Sequence, residues 1–404
     1  MTPPPGPFRP GFWRSPLRGP WLTTLLGALL LAGVTVVAVT GFLSHVAYEP
    51  GAGDNAIVDP RRDLPLGLGW PASPAWLYAL TQGLHVNVGL ATVPLLLAKL
   101  WSVIPRLFAW PPAVSPAQAV ERASIALLVS SAVFEFATGI LNAQNYYPFG
   151  FSFVVAHYYG AVIFVGALAV HIVVKLPVMA RAYRERERSN DGHEAPQPAP
   201  PTITRRGLLG FVGAGSGLLL LVNAGESLGG PLRSLALLAP RGGDPGPGPN
   251  GFPVNKTAKV AGIAPALTGD RYRLVVRAGE RELRLSRADL LAMEQRTERL
   301  PIACVEGWTT TQDWTGVPLA RLAASVGAAG ASELHVESLQ RRGGFRQATL
   351  TRTQFGNERA LLALRVNGAD LSLDHGFPAR VIVPALPGVH NTKWVRALTF
   401  GGAA

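Results

Sequence analysis

The sequence holds one cysteine, Cys304, in 404 residues. No intrachain disulfide can form, and neither can an iron–sulfur or zinc cluster built on several cysteines. Charge is scarce as well: Asp, Glu, Lys and Arg make 15% of the chain, against roughly 25% in an ordinary soluble protein. With a hydrophobic fraction of 48%, this argues against a disordered chain and against a purely soluble one. Nucleic-acid motifs are lacking, so the net charge of +12 does not point to nucleic acid as a partner. What the chain has in quantity is Gly (45) and Pro (35), which announces long linkers in a protein of two or three domains.

Five apolar stretches approach or exceed the ~20 residues that cross a bilayer: Trp21–Phe42, Ala75–Leu100, Ala123–Leu141, Phe153–Met179 and Gly207–Ala224. Arg9, Arg14 and Arg18 precede the first. Lys99, Arg106 and Arg122 fill the second connection, and Arg181, Arg184, Arg186, Arg188, Arg205 and Arg206 fill the fourth. The third connection, Asn142–Ser152, carries no charge. By the positive-inside rule this predicts a multi-pass protein of the cell membrane, with a cytoplasmic N-terminus and an extracytoplasmic C-terminal domain. Only Arg61 and Arg62 run against the rule, accompanied by Asp54, Asp59 and Asp63.

The fifth stretch begins Thr204-Arg205-Arg206-Gly207-Leu208-Leu209, after a Pro-rich run near Ala195–Pro201. Paired arginines before a short Gly-rich apolar run resemble a twin-arginine export signal inside the chain, which would make that export machinery a partner. An ordinary basic flank reads the same residues equally simply. Pro240–Pro253 is a Gly/Pro linker. Beyond Asn255 the pattern turns to strands at Tyr272–Val276, Leu300–Cys304, Glu333–Glu337, Ala360–Val366 and Arg380–Val383. Helices are expected after the cap Ser286-Arg287-Ala288-Asp289 and over Pro318–Val326, giving an α+β domain.

Ionisable groups inside spans are costly and therefore functional candidates. His85 lies in the second span, and His157 and His171 lie in the fourth. The latter two are 14 residues apart, about 21 Å of helix and about 40° short of four turns, so both face one side. That separation suits two stacked haems, since imidazole ligates haem iron. Gly89 and Gly160, one turn beyond His85 and His157, would let a porphyrin approach the backbone. Hydrogen bonding between helices is the plainer reading of the same histidines. Glu135, alone in the third span, is a candidate proton relay for quinol oxidation or a structural carboxylate.

The pieces His85-Val86-Asn87-Val88-Gly89 and His157-Tyr158-Tyr159-Gly160, followed by His171, resemble the di-haem cytochrome b subunits of membrane formate dehydrogenases and nickel–iron hydrogenases. The resemblance implies haem b between His85 and His157, with quinone or quinol as partner. It pairs His171 with a histidine at the start of the first span, where this chain has Trp21-Leu22-Thr23-Thr24. One haem is therefore expected and a second is left open.

Cys304 ends a strand in Pro301-Ile302-Ala303-Cys304-Val305-Glu306-Gly307-Trp308, a setting in which a cysteine is usually core. Its surroundings favour more. From Gly251 onward there are 20 Lys/Arg against 13 Asp/Glu, and His375-Gly376-Phe377-Pro378-Ala379-Arg380 and Asn391-Thr392-Lys393-Trp394 set cations beside turns, as in an anion cradle.

Together CVEGW, DWTGVPL and DHGFPARVIVPALPGVHNTKWVRAL resemble the molybdopterin-binding domain of the sulfite oxidase superfamily over most of Ala266–Phe400. The CVEGW segment is similar to its bacterial periplasmic methionine sulfoxide reductase subgroup. The resemblance implies molybdenum on the Cys304 thiolate, and a pterin and its phosphate held by His375, Arg380 and Lys393. His335, Arg341, Arg342 and Arg346 are pocket candidates. No tyrosine follows Tyr272, although tyrosine near the metal is common in sulfite oxidases.

The expected chain is multi-domain: an all-α five-helix transmembrane bundle followed by an α+β sulfite-oxidase-like molybdopterin domain. Its segments are a cytoplasmic tail (1–20), a cytochrome b-like membrane domain (21–180), a basic linker (181–206), the fifth span (207–224), an extracytoplasmic linker (225–254) and the molybdopterin domain (255–404). The expected activity passes electrons between quinol, haem b and molybdenum to reduce a small S-oxide or N-oxide. A sulfite-type dehydrogenase acting on an oxyanion, with electrons running to quinone, is the alternative. A haem-free anchored binding domain is a further one.

Overall fold

The computed structural model describes residues 2–48, 58–65, 68–185, 197–241, 245–342 and 345–402. Asp54, Arg186, Arg188, Ala195 and residues 242–244 of the Gly/Pro linker lie outside the described residues.

Five long helices carry the apolar stretches: α1 (Pro20–Tyr48), α2 (Leu77–Leu107), α3 (Pro116–Ala143), α4 (Phe153–Glu185) and α5 (Arg205–Leu228). Each contains a candidate span by length and composition, with mean hydropathy from 1.7 to 2.3. Most ends overrun the apolar runs, because a helix continues through polar residues until its backbone finds another partner. At the start of α3 that stop is Ser115, whose hydroxyl accepts the Gln118 N–H at 3.2 Å ahead of Pro116. Small residues set the helix spacing. A Cβ on Gly33 would lie 2.1 Å from Thr92 Cγ2, and one on Gly160 would lie 2.1 Å from Glu135 Oε1.

The chain forms two compact units, one of Met1–Thr40 with Leu84–Asn223, the other of Gly41–Gly83 with Ala224–Ala404. The second unit holds two five-stranded sheets, built from β1 (Leu274–Ala278), β2 (Arg281–Leu285), β3 (Arg296–Ala303), β4 (Thr309–Pro318), β5 (Glu333–Ser338), β6 (Gln347–Thr351), β7 (Leu361–Val366), β8 (Ala369–Asp370), β9 (Arg380–Ile382) and β10 (Val395–Gly401). One sheet runs β2-β1-β10-β5-β6. The other runs β3-β4-β7-β8, with β9 also paired to β7. Among the described strand pairs, β1 and β10 run parallel, with Val275 opposite Ala397, and the others run antiparallel.

Four short helices complete the unit: α6 (Ala258–Ala261), α7 (Arg287–Ala292), α8 (Leu319–Ser325) and α9 (Arg352–Phe355). The expected cap of α7 is present, with Asp289 N–H donating to Ser286 Oγ at 3.1 Å and Ser286 N–H to Asp289 Oδ2 at 2.8 Å. Leu274, Val276, Leu334, Val336 and Leu398 are fully buried, each worth ~1.5–3 kcal/mol of apolar burial. Val46, Ala47, Trp70 and Tyr78 join that same core.

The sequence pattern predicts no strand at β2, β4, β6, β8 or β10, all of which are present. β4 reads Thr-Thr-Thr-Gln-Asp-Trp-Thr-Gly-Val-Pro, and its first five residues are polar and only partly buried or exposed. Its place is set by pairing on both sides, with β3 and with β7, rather than by an apolar face.

Candidate active site

Cys304 sits on the tight connection between β3 and β4. Its N–H donates to Trp308 O at 2.9 Å and its carbonyl accepts the Gly307 N–H at 3.1 Å. Gly307 has φ +103, a conformation that favours glycine. Each part of the turn is held from outside. Glu306 takes Arg241 at 2.8 Å and Trp308 Nε1 at 2.9 Å; Gln82 Nε2 donates to Val305 O at 2.7 Å and Ser227 Oγ to Gly307 O at 2.7 Å. The Cys304 Sγ is buried and accepts Asn255 Nδ2 at 2.9 Å. Burial first, then the Glu306 carboxylate, pushes the thiol up to about 12. On its own it stays protonated, and a bound metal cation would reverse that.

Of the three cofactor candidates of the C-terminal segment, His375 and Arg380 are buried and Lys393 is half-buried. Arg380 is 6% exposed and lies 5.6 Å over the Trp314 ring. Its guanidinium donates only to carbonyls, Asn391 O at 3.2 Å and His375 O at 3.3 Å, and it has no ion pair among the described residues. Burial pushes it down to about 9. Lys393 donates to Lys256 O and, at 2.9 Å, to Asp374 O; burial and then Arg380 push it down to about 7. Cys304 is within electrostatic reach of both cations. Gly376, at φ +113, lets their stems approach, since a Cβ there would lie 3.2 Å from the Cβ of each. His375 stacks on Phe252 with centroids 3.8 Å apart and directs Nε2 to Asn250 O at 3.0 Å. Burial, then Arg380, pushes it down to about 4.

A buried guanidinium with no ion pair among the described residues is expensive unless an anion neutralises it, and the half-buried Lys393 stands near it. Two neighbours in the same segment also have unused polar atoms: His390 Nδ1 and Thr392 Oγ1 are buried without a hydrogen-bond partner among the described residues. A phosphate-bearing pterin with a thiolate-bound metal fits this donor set. Sequence reasoning misses His390 and Thr392, although both stand beside Lys393. His335 lies on β5 with Thr349 Oγ1 at 3.3 Å, while Arg341, Arg342 and Arg346 lie toward the surface.

In the other unit, the structure brings His85 and His157 together, with ring centroids 6.1 Å apart and planes at 88°. His85 Nδ1 lies 2.9 Å from Val37 O, an acceptor only, so Nδ1 carries the proton. His157 Nδ1 lies 2.9 Å from Thr138 Oγ1 and 3.3 Å from Glu135 Oε2. In both rings Nε2 is left as a lone pair.

One expectation needs correction. Gly160 faces Glu135 and Phe134, so it makes room for a carboxylate rather than a porphyrin; Gly89 has no atom within 4 Å of its Cβ direction. His171 stands apart from the pair, within electrostatic reach of Lys99, Lys175 and Glu121. At the start of α1, Thr23 binds Ser102 Oγ at 3.2 Å and accepts Lys99 Nζ at 2.7 Å through its carbonyl.

Residues 261–403 match the family of oxidoreductase molybdopterin binding domains. The sulfite oxidase of Arabidopsis thaliana is 35% identical over 86 residues, 20% of this chain and 22% of that protein. The uncharacterized oxidoreductase YuiH of Bacillus subtilis is 33% identical over 120 residues, 29% of this chain and 58% of that one. Among solved structures, the sulfane dehydrogenase SoxCD of Paracoccus pantotrophus is 26% identical over 32% of this chain and 38% of that one, with a TM-score of 0.30. The chain thus spans between a fifth and three fifths of the two curated relatives. Residues 261–403 thus carry an oxidoreductase molybdopterin binding domain, part of which is similar to a sulfite oxidase.

Proposed function

We propose that the chain is a membrane-bound molybdopterin oxidoreductase that draws electrons from quinol through haem b and reduces a small S-oxide or N-oxide outside the membrane. The observation that carries the molybdenum site is the buried Cys304 turn, within electrostatic reach of the buried Arg380, which has no ion pair among the described residues. Cys304 would hold the metal, and Arg380, Lys393 and His375 the pterin and its phosphate. When bound, that group supplies oxygen-atom transfer coupled to two electrons. Overall, a sulfoxide takes up two protons and two electrons and leaves as the sulfide and water. The quinol supplies both electrons and releases two protons as it becomes quinone.

The haem part rests on the two facing imidazoles, each with Nδ1 anchored and Nε2 bare. Such anchoring is how ligating histidines are oriented. Glu135, 7% exposed and beside His157, is placed to accept a proton released by quinol oxidation. His171 has no partner imidazole among the described residues, which supports a single haem. The five apolar helices support a multi-pass membrane placement, with the twin-arginine pair at the start of α5 as the export signal.

The sulfite oxidase among the relatives favours a second reading, in which the same wiring runs from an oxyanion to quinone. The test is molybdenum and iron per chain in detergent-purified protein, followed by anaerobic mixing with a quinol and with dimethyl sulfoxide or sulfite. Both metals, with haem reoxidised by dimethyl sulfoxide, support the reductase. Haem reduced by sulfite supports the reverse direction. Molybdenum without iron removes the haem, and neither metal leaves an anchored binding domain.

A further inference from the structure

The connection between α3 and α4 has no charged residue from Phe136 to Ala156, yet its aromatic side chains are not hidden. Tyr146, Tyr147, Phe149 and Phe151 are all exposed, Phe149 to 58% and Phe151 to 45%. The segment is held at both ends. Asn145, at φ +53, turns the chain out of α3, and the Tyr146 N–H donates back to Leu141 O at 2.9 Å. At the start of α4 the Ala156 N–H donates to Ser152 O at 3.0 Å. Between these ends three rings lie nearly parallel. Phe149 and Phe151 have centroids 5.8 Å apart with planes at 5°, and Phe151 and Phe153 have centroids 4.9 Å apart with planes at 19°. Tyr147 meets Phe153 edge-on at 5.3 Å, and its hydroxyl donates to Asn142 Oδ1 at 3.3 Å.

Exposed rings in one orientation offer their faces to a further flat ring by offset stacking. A surface without charge suits a neutral ligand and gives an anionic one no counter-charge. Its place in the bundle is specific as well. Phe153 stands one turn before His157 on the same face of α4, about 6 Å along the helix. His157 in turn faces His85 at 6.1 Å and lies 3.3 Å from Glu135 Oε2. We propose that the stacked rings of the α3–α4 connection are the docking site of the quinol, whose ring lies against Phe149 and Phe151 and so faces the histidine pair. Asn142 and Tyr147 are neutral hydrogen-bonding groups for its hydroxyls, and the exposed Val154 continues the apolar surface along α4 for an isoprenoid tail. Docked there, the quinol gives two electrons, one at a time, to the group held by His85 and His157, and leaves as quinone. Of its two protons one passes to Glu135 and the other to extracytoplasmic water. This inference rests on the reading that His85 and His157 hold a haem that oxidises quinol.

The test uses full-length, haem-loaded protein and the double variant Phe149→Leu, Phe151→Leu, which keeps apolar side chains and removes the rings. Haem per chain and its absorbance spectrum are recorded first. Binding is then read by titration with a fluorescent heptyl-hydroxyquinoline N-oxide, a flat quinol analogue. Turnover is read as the anaerobic rate of haem reduction by decylubiquinol. The expected variant keeps its haem, binds the analogue about tenfold more weakly, and is reduced about tenfold more slowly only at limiting quinol. Wild-type binding and rates in the leucine variant overturn the inference and leave the haem site standing. Loss that appears only with Phe149→Ser, Phe151→Ser also overturns it, by assigning the rings to lipid contact. If the double variant loses its haem, Phe149→Leu alone, at the more exposed ring, goes through the same titration and decides the matter by the same criteria. Wild-type protein without haem, or with haem that decylubiquinol does not reduce, removes the functional reading and the inference together.

Discussion

The hydroxyl of Thr138 accepts the Nδ1 proton of His157 at 2.9 Å, because it donates its own proton to Phe134 O at 2.8 Å, one turn back in α3. Thr138 thereby fixes the tautomer of an imidazole on another helix. The nearby Glu135 oxygen, at 3.3 Å, is the longer contact.

Thr138→Val removes that acceptor and keeps the shape. At the haem site proposed above, affinity for haem is expected to fall by roughly 10- to 100-fold, the loss typical when a support of a ligating histidine is removed. Haem absorbance retained after prolonged detergent dialysis measures it. Unchanged retention would assign the anchoring to Glu135.

Arg380→Met should separate stability from cofactor binding. The guanidinium is buried and bonded only to carbonyls, so an apolar side chain of similar length is expected to leave the ligand-free domain at least as stable. The same protein is expected to retain less molybdenum, because the anion loses its counter-charge. Thermal unfolding and elemental analysis on one preparation check both halves.

Acid should destabilise the ligand-free protein over a definite window. His375 and His390 are buried and held down to about 4, each by burial first. Between their unfolded value near 6.5 and about 4, the unfolded state binds more protons, so stability drops as pH falls and levels off below 4. The slope from the two groups is at most about 2.7 kcal/mol per pH unit. His390→Gln is expected to remove about half of it in a series of melting curves.

Gly376→Ala should be costly. The residue stands at φ +113, and a methyl would press at 3.2 Å on the stems of both Arg380 and Lys393. About 1–3 kcal/mol of backbone strain is expected, with loss of cofactor retention. Chemical denaturation and metal content together report it.

The apolar spans were legible because long runs without charge have few other uses, and the cap at Ser286 was legible because its chemistry is local. Cys304, Arg380 and Lys393 stood out through the flanking motifs, which a resemblance could recognise at a distance. Strand β4 was hidden because its polar first half is held by two neighbouring strands. The pairing of His85 with His157 was expected, but the anchors Val37 and Thr138 sit on other helices and carry no motif of their own.

The parallel pairing of β1 with β10 has a consequence for the order of assembly during synthesis. The first strand of the domain waits for its neighbour until residues 395–401 have left the ribosome, and Lys393 emerges just before that strand. A nascent chain therefore offers the Cys304 turn before Lys393 and β10 have emerged, and β1 stays without its parallel neighbour in the meantime.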